Sequence, residues 1–248
     1  VGKAARAVGL QVSRVSTEAV LPLEANESDR AIMREVAPYT MTSQQRLWSL
    51  LSAVRYLSAE QIPGAFVECG VWRGGSIMAM AKQLVQLGDT DREVWLYDTF
   101  AGMTAPTAAD VEASSGQSAE HLMETTAVGD GNNVWAFASR ADVERNLTLT
   151  GYPMDRFHLV EGDLLETIVR EAPEQVALMR LDSDWYESTR ASLEALFPRL
   201  SIGGVCILDD YGHWQGARQA VDEYFEEIGF TPLMHPIDFS GRIFLKTR

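Results

Sequence analysis

Cysteine and histidine are scarce, at two and four among 248 residues. Cys69 and Cys206 fall in separate apolar runs, so buried reduced thiols are expected rather than a disulfide framework. No Cys/His spacing suits zinc, and neither a P-loop nor a Ser-His-Asp arrangement occurs. No apolar run approaches the ~18 residues of a membrane span, and the N-terminus lacks the basic-then-apolar layout of a signal peptide. A soluble cytoplasmic protein is therefore expected. Basic residues are also few: 21 Lys and Arg stand against 35 Asp and Glu, for a net charge of −14. That balance repels nucleic acid and anionic membranes, so neither is an expected partner. Internal repeats and low-complexity tracts are missing as well.

What is present is core. Hydrophobic residues make up 46% of the chain, enough for one large α/β domain or two small ones. Residues 1–38 lack a strong period and read as an arm or loosely helical lid. In the stretch 41–57, Leu47, Leu50, Leu51, Val54 and Leu57 share a helical face, with Thr42 and Gln45 as a capping box. The period then shortens. Strands are expected at 65–70, 93–100, 157–163, 175–184 and 203–210, with helices at 74–87, 139–149, 164–171, 187–199 and 215–228. Such alternation implies a parallel sheet covered on both faces. "PLMHPID" and "RIFLKT" at the end are joined only by "FSG", too short for a helical crossover. They must form a hairpin, which brings an antiparallel strand into the sheet. Residues 101–138 are the longest interruption, expected to be a lid, a binding loop or disordered.

Acidic residues gather where ligands bind an open parallel sheet, at the carboxyl ends of its strands. Glu68 lies in the first strand, and Asp98 and Asp163 end the next two. Asp182 and Asp184 end the fourth, and Asp209 and Asp210 the fifth. The first strand runs into "ECGVWRGGS", a glycine turn that bares backbone amides at a helix start but lacks the G-x-G-x-x-G of dinucleotide binders. Asp98 suits a ribose diol, and Asp163 an adenine amino group. Asp182, Asp209 and Asp210, brought together from two strand ends, would repel one another unless a cation intervened. Hard oxygen ligands of this kind suit Mg²⁺ or a similar divalent ion; the competing reading pairs them with Arg180, Arg190 or Arg218. Asp184 is then placed to act as general base, with His213 as the rival. Trp72, Trp185, Tyr186, Tyr211 and Trp214 sit just beyond these strand ends, as packing or as an apolar wall for a ring.

These stretches add up to a family. "FVECGVWRGGS", "LYDTFAGM", "RLDSDWYESTR" with "LFPRL", and "GGVCILDDYGHWQGARQAVDEYF" closely resemble the TylF/MycF family of macrocin-type O-methyltransferases. The likeness runs from about Tyr39 to Lys246. It implies the class I S-adenosylmethionine-dependent methyltransferase fold, α/β and Rossmann-like: a seven-stranded sheet with an antiparallel last strand, plus an N-terminal helical lid. The expected division is an arm and lid at 1–60 and a methyltransferase domain at 61–248. S-adenosylmethionine and Mg²⁺ are the implied cofactors, and a sugar hydroxyl on a glycosylated natural product the implied acceptor. Glu68, Gly70, Val71, Trp72, Gly74 and Ser76 would hold the methionine part, Asp98 with Phe100 the ribose, and Met41 and Thr42 the lid over the cofactor. The resemblance also assigns Asp182, Asp209 and Asp210 to the metal and Asp184 to the proton, and favours a homodimer or larger assembly. A phenol or catechol acceptor, or a silent cofactor-binding partner protein, are the alternatives. An NAD(P) oxidoreductase would need the glycine fingerprint this chain lacks.

Overall fold

Five runs of apolar residues form parallel strands: β1 (Ala65–Cys69), β2 (Val94–Asp98), β3 (Phe157–Glu161), β4 (Val176–Leu181) and β5 (Leu200–Leu208). They come from a computed structural model that describes residues 21–126 and 135–248. β6 (His235–Pro236) and β7 (Arg242–Leu245) form the expected terminal hairpin, with β7 antiparallel to both β5 and β6. The sheet order is β3-β2-β1-β4-β5-β7-β6. Succession reverses between β1 and β4, and there the strand ends open a crevice.

Both faces of the sheet are covered, so its central strands are apolar throughout instead of alternating with polar residues. Phe66, Leu178 and Val205 point to one side, into a core shared with α1 (Glu27–Val36), α2 (Gln44–Ala59) and α3 (Gly75–Leu87). Their strand neighbours Val67, Met179 and Cys206 point to the other, under α6 (Leu164–Arg170), α7 (Tyr186–Leu196) and α8 (Gln215–Glu227). The side-chain period of two thus assigns each strand residue its helix layer. Cys69 and Cys206 are both buried and unbridged, on strands separated by β4. No helix among the described residues is long and apolar enough to cross a membrane.

Several boundaries move. The helix expected at 41–57 begins at Gln44, and its N-cap is Ser43, whose hydroxyl accepts from the Arg46 amide at 3.2 Å; the Thr42/Gln45 capping box does not form. The Thr42 hydroxyl is taken instead by the guanidinium of Arg180, 2.8 Å away. A capping box is present one helix earlier, between Asn26 and Asp29 at the start of α1, in the stretch expected to be an arm or loosely helical lid. The rest of that arm, residues 1–20, lies outside the described residues. β4 stops at Leu181 rather than 184, because the chain turns through Asp184 with φ of 60°.

The described part of the 101–138 interruption is packed. It forms α4 (Ala119–Thr125), which leads on to α5 (Arg140–Leu147), and single bridges tie Val111 to Ser118 and Glu112 to Trp214. Asp110, fully buried, accepts from the Thr107 amide (2.6 Å), the Thr107 hydroxyl (2.8 Å) and the Tyr186 amide (2.7 Å). One carboxylate therefore knots the segment to the start of α7. Trp185 and Trp214, nearly perpendicular at 5.0 Å, sit beneath it with Ala119 and Met123. Both tryptophans are packed, as the first of the alternatives for the strand-end aromatics had it, and Trp185 also lines a cavity at the strand ends. The remainder, 127–134, lies outside the described residues.

Candidate active site

A charged pair sits inside the sheet itself. Glu68 on β1 is in register with Arg180 on β4, both almost fully buried, and the guanidinium pairs with the carboxylate. Strand interiors exclude lone charges, so each residue requires the other. Arg180 also donates to Asp182 at 2.8 Å and to Asp209 at 2.6 Å. Arg46 of α2 pairs with the second oxygen of Asp209 and donates to Asp238 at 3.0 Å. The arginine reading of these aspartates is thus realised for Asp182 and Asp209. Arg180 is the partner; Arg190 and Arg218 instead pair along the surface, with Glu194 and Glu227 and with Asp222.

Two guanidiniums do not balance six carboxylates, those of Glu68, Asp182, Asp184, Asp209, Asp210 and Asp238. Oxygens of Asp182, Asp209 and Asp210 lie within 4.8 Å of one another. Asp210 has no guanidinium partner among the described residues; its carboxylate accepts from the Asp184 amide at 3.3 Å. Asp184 in turn accepts from the Trp214 indole at 2.8 Å. Burial pushes Asp182 and Asp210 well above the usual carboxylate range, and the neighbouring carboxylates add to it. Burial, then the charge of Asp182, pushes Asp184 up to about 7. Glu68 is likewise raised to about 7 by burial, against the opposing pull of Arg180.

These shifts have a measurable consequence. With no divalent ion bound, the folded protein holds protons on Glu68 and Asp184 that the unfolded chain, titrating near 4, has released. Stability then falls as pH rises from about 4 to about 7, since the native state is the one binding more protons. Melting temperatures taken in chelator across that window are expected to decline with pH; a rise would contradict the assigned burial.

The glycine turn is moored to the end of β2. The amides of Val71 and Trp72 donate to one oxygen of Asp98 at 2.7 and 3.1 Å, and the Phe100 amide donates to the other at 2.8 Å. Gly70 has φ of 82°, and a Cβ there would lie 1.9 Å from the Asp182 carbonyl, so no other residue fits. Gly74 caps α3 in the left-handed conformation, and the Phe100 ring turns into the core. Asp163 caps α6, accepting from the Leu165 amide at 2.9 Å.

Two adjoining cavities run along this rim and share Gly70, Asp98, Gly102, Met103 and Asp182. One is lined by Asp163, Thr99 and Ser183, the other by Met41, Thr42, Glu68, Trp72 and Ser76 together with the acids Asp184, Asp209 and Asp210. His213 lines the second cavity, half-buried, its imidazole kept neutral by burial and 3.8 Å from Glu112. Glu68 Oε2 is buried in this wall with no hydrogen-bond partner among the described residues. Sequence reasoning missed Arg46 and Asp238, which bridge α2, the acids and the terminal hairpin. It also missed Asp110 and Phe239. The one available signal was the unusual Glu and Arg inside otherwise apolar strands.

The sheet order, the antiparallel β7 and the glycine turn at the switch point define a class I S-adenosylmethionine-dependent methyltransferase. More narrowly, the chain belongs to the macrocin-O-methyltransferase (TylF) family, whose model matches residues 8–246. It is 36% identical over 203 residues to the 8-demethyl-8-(2,3-dimethoxy-alpha-L-rhamnosyl)-tetracenomycin-C 4'-O-methyltransferase of Streptomyces olivaceus, covering 82% of this chain and 74% of that protein. It is 31% identical over 231 residues to the mycinamicin III 3''-O-methyltransferase of Micromonospora griseorubida, covering 93% and 86%. Among solved structures, the O-methyltransferase NovP superposes with a TM-score of 0.71 at 29% identity, over 85% of this chain and 83% of that one. The protein is thus an O-methyltransferase, and its fold and family imply S-adenosylmethionine as methyl donor.

Proposed function

We propose that this enzyme methylates a sugar hydroxyl of a glycosylated natural product, with Mg²⁺ or a similar divalent ion held by Asp182, Asp209 and Asp210. The observation that carries this reading is the cluster of three carboxylates within 4.8 Å in the same cavity as the glycine turn. Two relatives support the acceptor class, one named for a rhamnosyl-tetracenomycin and one for mycinamicin III. The donor set fits a hard cation: all ligands are oxygens, the carboxylates outnumber the guanidiniums, and Asp210 is left without a positive partner. It fits the methyl donor too, since the orphaned Glu68 oxygen suits a buried ammonium group.

In this reading Glu68, the 70–76 turn and Ser76 bind the methionine part, while Asp98 accepts from the ribose and Asp163 from the adenine. Residues 1–60 act as arm and lid on a catalytic domain of 61–248, with Met41 and Thr42 lining the donor cavity from above the α3 start. When bound, the sulfonium supplies an electrophilic methyl group, and the divalent ion supplies acidity and orientation to the acceptor hydroxyl. Asp184 takes the acceptor proton. Trp214 donates to one of its oxygens and so orients the carboxylate for that role. Arg46 and Arg180 hold Asp209 from opposite oxygens, so the ligand set is positioned before substrate arrives.

The test compares Asp184→Asn with His213→Gln, using labelled S-adenosylmethionine and both glycoside and catechol acceptors. Asp184→Asn is expected to lower kcat about 10²–10⁴-fold while leaving affinity for S-adenosylhomocysteine unchanged. His213→Gln is expected to act on acceptor KM instead. A collapse of kcat only in His213→Gln would transfer the base role to that residue, and transfer only to catechol would sink the glycoside reading.

A further inference from the structure

Phe239 stands out at the mouth of the acid-lined cavity. Its side chain is 71% exposed, yet the loop that carries it is among the most tightly tied on the rim. Asp238 accepts from the Ser240 and Gly241 amides at 2.9 and 2.8 Å through one oxygen. Through the other it accepts from the Ser43 hydroxyl at 2.6 Å and from Arg46 at 3.0 Å. The Ser240 carbonyl accepts from the Gly212 amide at 2.9 Å, and the Ser240 hydroxyl bonds the Asp209 carbonyl. Gly212 passes so close that a Cβ on it would lie 2.0 Å from the Phe239 carbonyl. The terminal hairpin, the lid helix and the end of β5 therefore fix this backbone from three sides.

A fixed backbone presenting a bare aromatic ring beside buried acids is pre-organised for a ligand rather than for packing. The ring lies edge-on to His213, 6.1 Å between centroids. His213 lines the same cavity and sets polar ring nitrogens beside the phenyl face. Apolar face, polar flank and carboxylate floor thus meet in one cavity. A pyranose has matching parts: an apolar C–H face, and hydroxyls around its edge. The adenosine side is already accounted for in the adjoining cavity, lined by Asp163 rather than Phe239.

We propose that Phe239 is an acceptor-binding residue, its ring receiving the C–H face of the pyranose whose hydroxyl reaches Asp182, Asp209 and Asp210. This rests on the glycoside reading above and identifies the wall on which the sugar sits. The segment Asp238–Gly241 then belongs to the acceptor site as much as the strand ends do. Because Ser43 and Arg46 hold Asp238, the start of the lid helix sets the position of that wall.

The test uses wild type, Phe239→Ala and Phe239→Trp, each with S-adenosylhomocysteine and Mg²⁺, and methyl α-L-rhamnopyranoside as probe. Saturation-transfer NMR reads which sugar protons face the protein, and titration gives the affinity. The expected result is saturation of one C–H face in wild type, about tenfold weaker binding in Phe239→Ala, and recovery in Phe239→Trp. Affinity for S-adenosylhomocysteine, measured by calorimetry, is expected to be equal in all three. Phe239→Ala binding the pyranoside as wild type does would overturn this inference and leave the glycoside reading standing. A parallel loss of S-adenosylhomocysteine affinity would overturn it too, since the residue would then act on the donor side. A wild type that contacts catechol but no pyranoside would overturn both.

Discussion

Asp210→Asn is expected to abolish divalent-ion binding and to lower kcat by at least about 10³-fold, the several kcal/mol of charge stabilisation a bound metal supplies. It is the cleanest variant of the three cluster aspartates. Asp209 holds two guanidiniums and Asp182 one, so changing either would disturb the arginines as well. Asp210 holds none; it faces Asp184 and the other carboxylates. Removing its charge relieves repulsion, so the metal-free variant is expected to melt higher than metal-free wild type. The gain should be largest at alkaline pH, where the wild-type carboxylate is ionised, and should vanish in acid, where it is protonated in both states. Mn²⁺ titration and calorimetry in chelator check the two halves separately. Lost activity with intact ion binding would show that Asp210 serves the reaction in some other way.

Arg180→Met is expected to have the largest effect on stability. The side chain is among the largest fully buried ones in the protein, and it joins Glu68, Asp182, Asp209 and the Thr42 hydroxyl. Its loss strands buried carboxylates without a counter-charge, a change that typically costs about 3–5 kcal/mol. That is a large fraction of the ~5–15 kcal/mol available to a folded chain. Urea unfolding of the variant should show the deficit, and Arg180→Met/Glu68→Gln should recover part of it by neutralising one of the stranded acids. Equal stability of single and double variants at neutral pH would show that the Glu68 carboxyl carries no penalty once Arg180 is gone.

The fold was legible because its causes are local. Continuous apolar runs of about the right length, glycine at the turn after β1 and a hairpin too tight for a crossover are all written in neighbouring residues. The acid cluster was legible for a related reason: an aspartate at a strand end lands on the same rim whatever the intervening loops do. What escaped reading depends on partners far away in sequence. Arg46 and Asp238 meet across 192 positions, and nothing adjacent to either announces it. Thr42 and Ser43 are nearly equivalent as helix caps, and the choice between them turns on Arg180, a residue of β4. Likewise the 101–126 stretch has the composition of a loose loop, yet Asp110 and the Trp185–Trp214 pair hold it in place.

The sheet also ends in a way that bears on self-association. Its last strand, β6, is two residues long, both exposed, and one of them is Pro236, which has no amide to offer. The opposite margin, β3, is longer, but Arg140 donates to its Leu159 carbonyl and reaches Glu161 as well. Exposed strand margins are templates for adding another chain by backbone pairing, and short, proline-bearing or side-chain-capped margins deny that template. Both flanks of the sheet are therefore poor templates for edge-to-edge pairing with a second sheet.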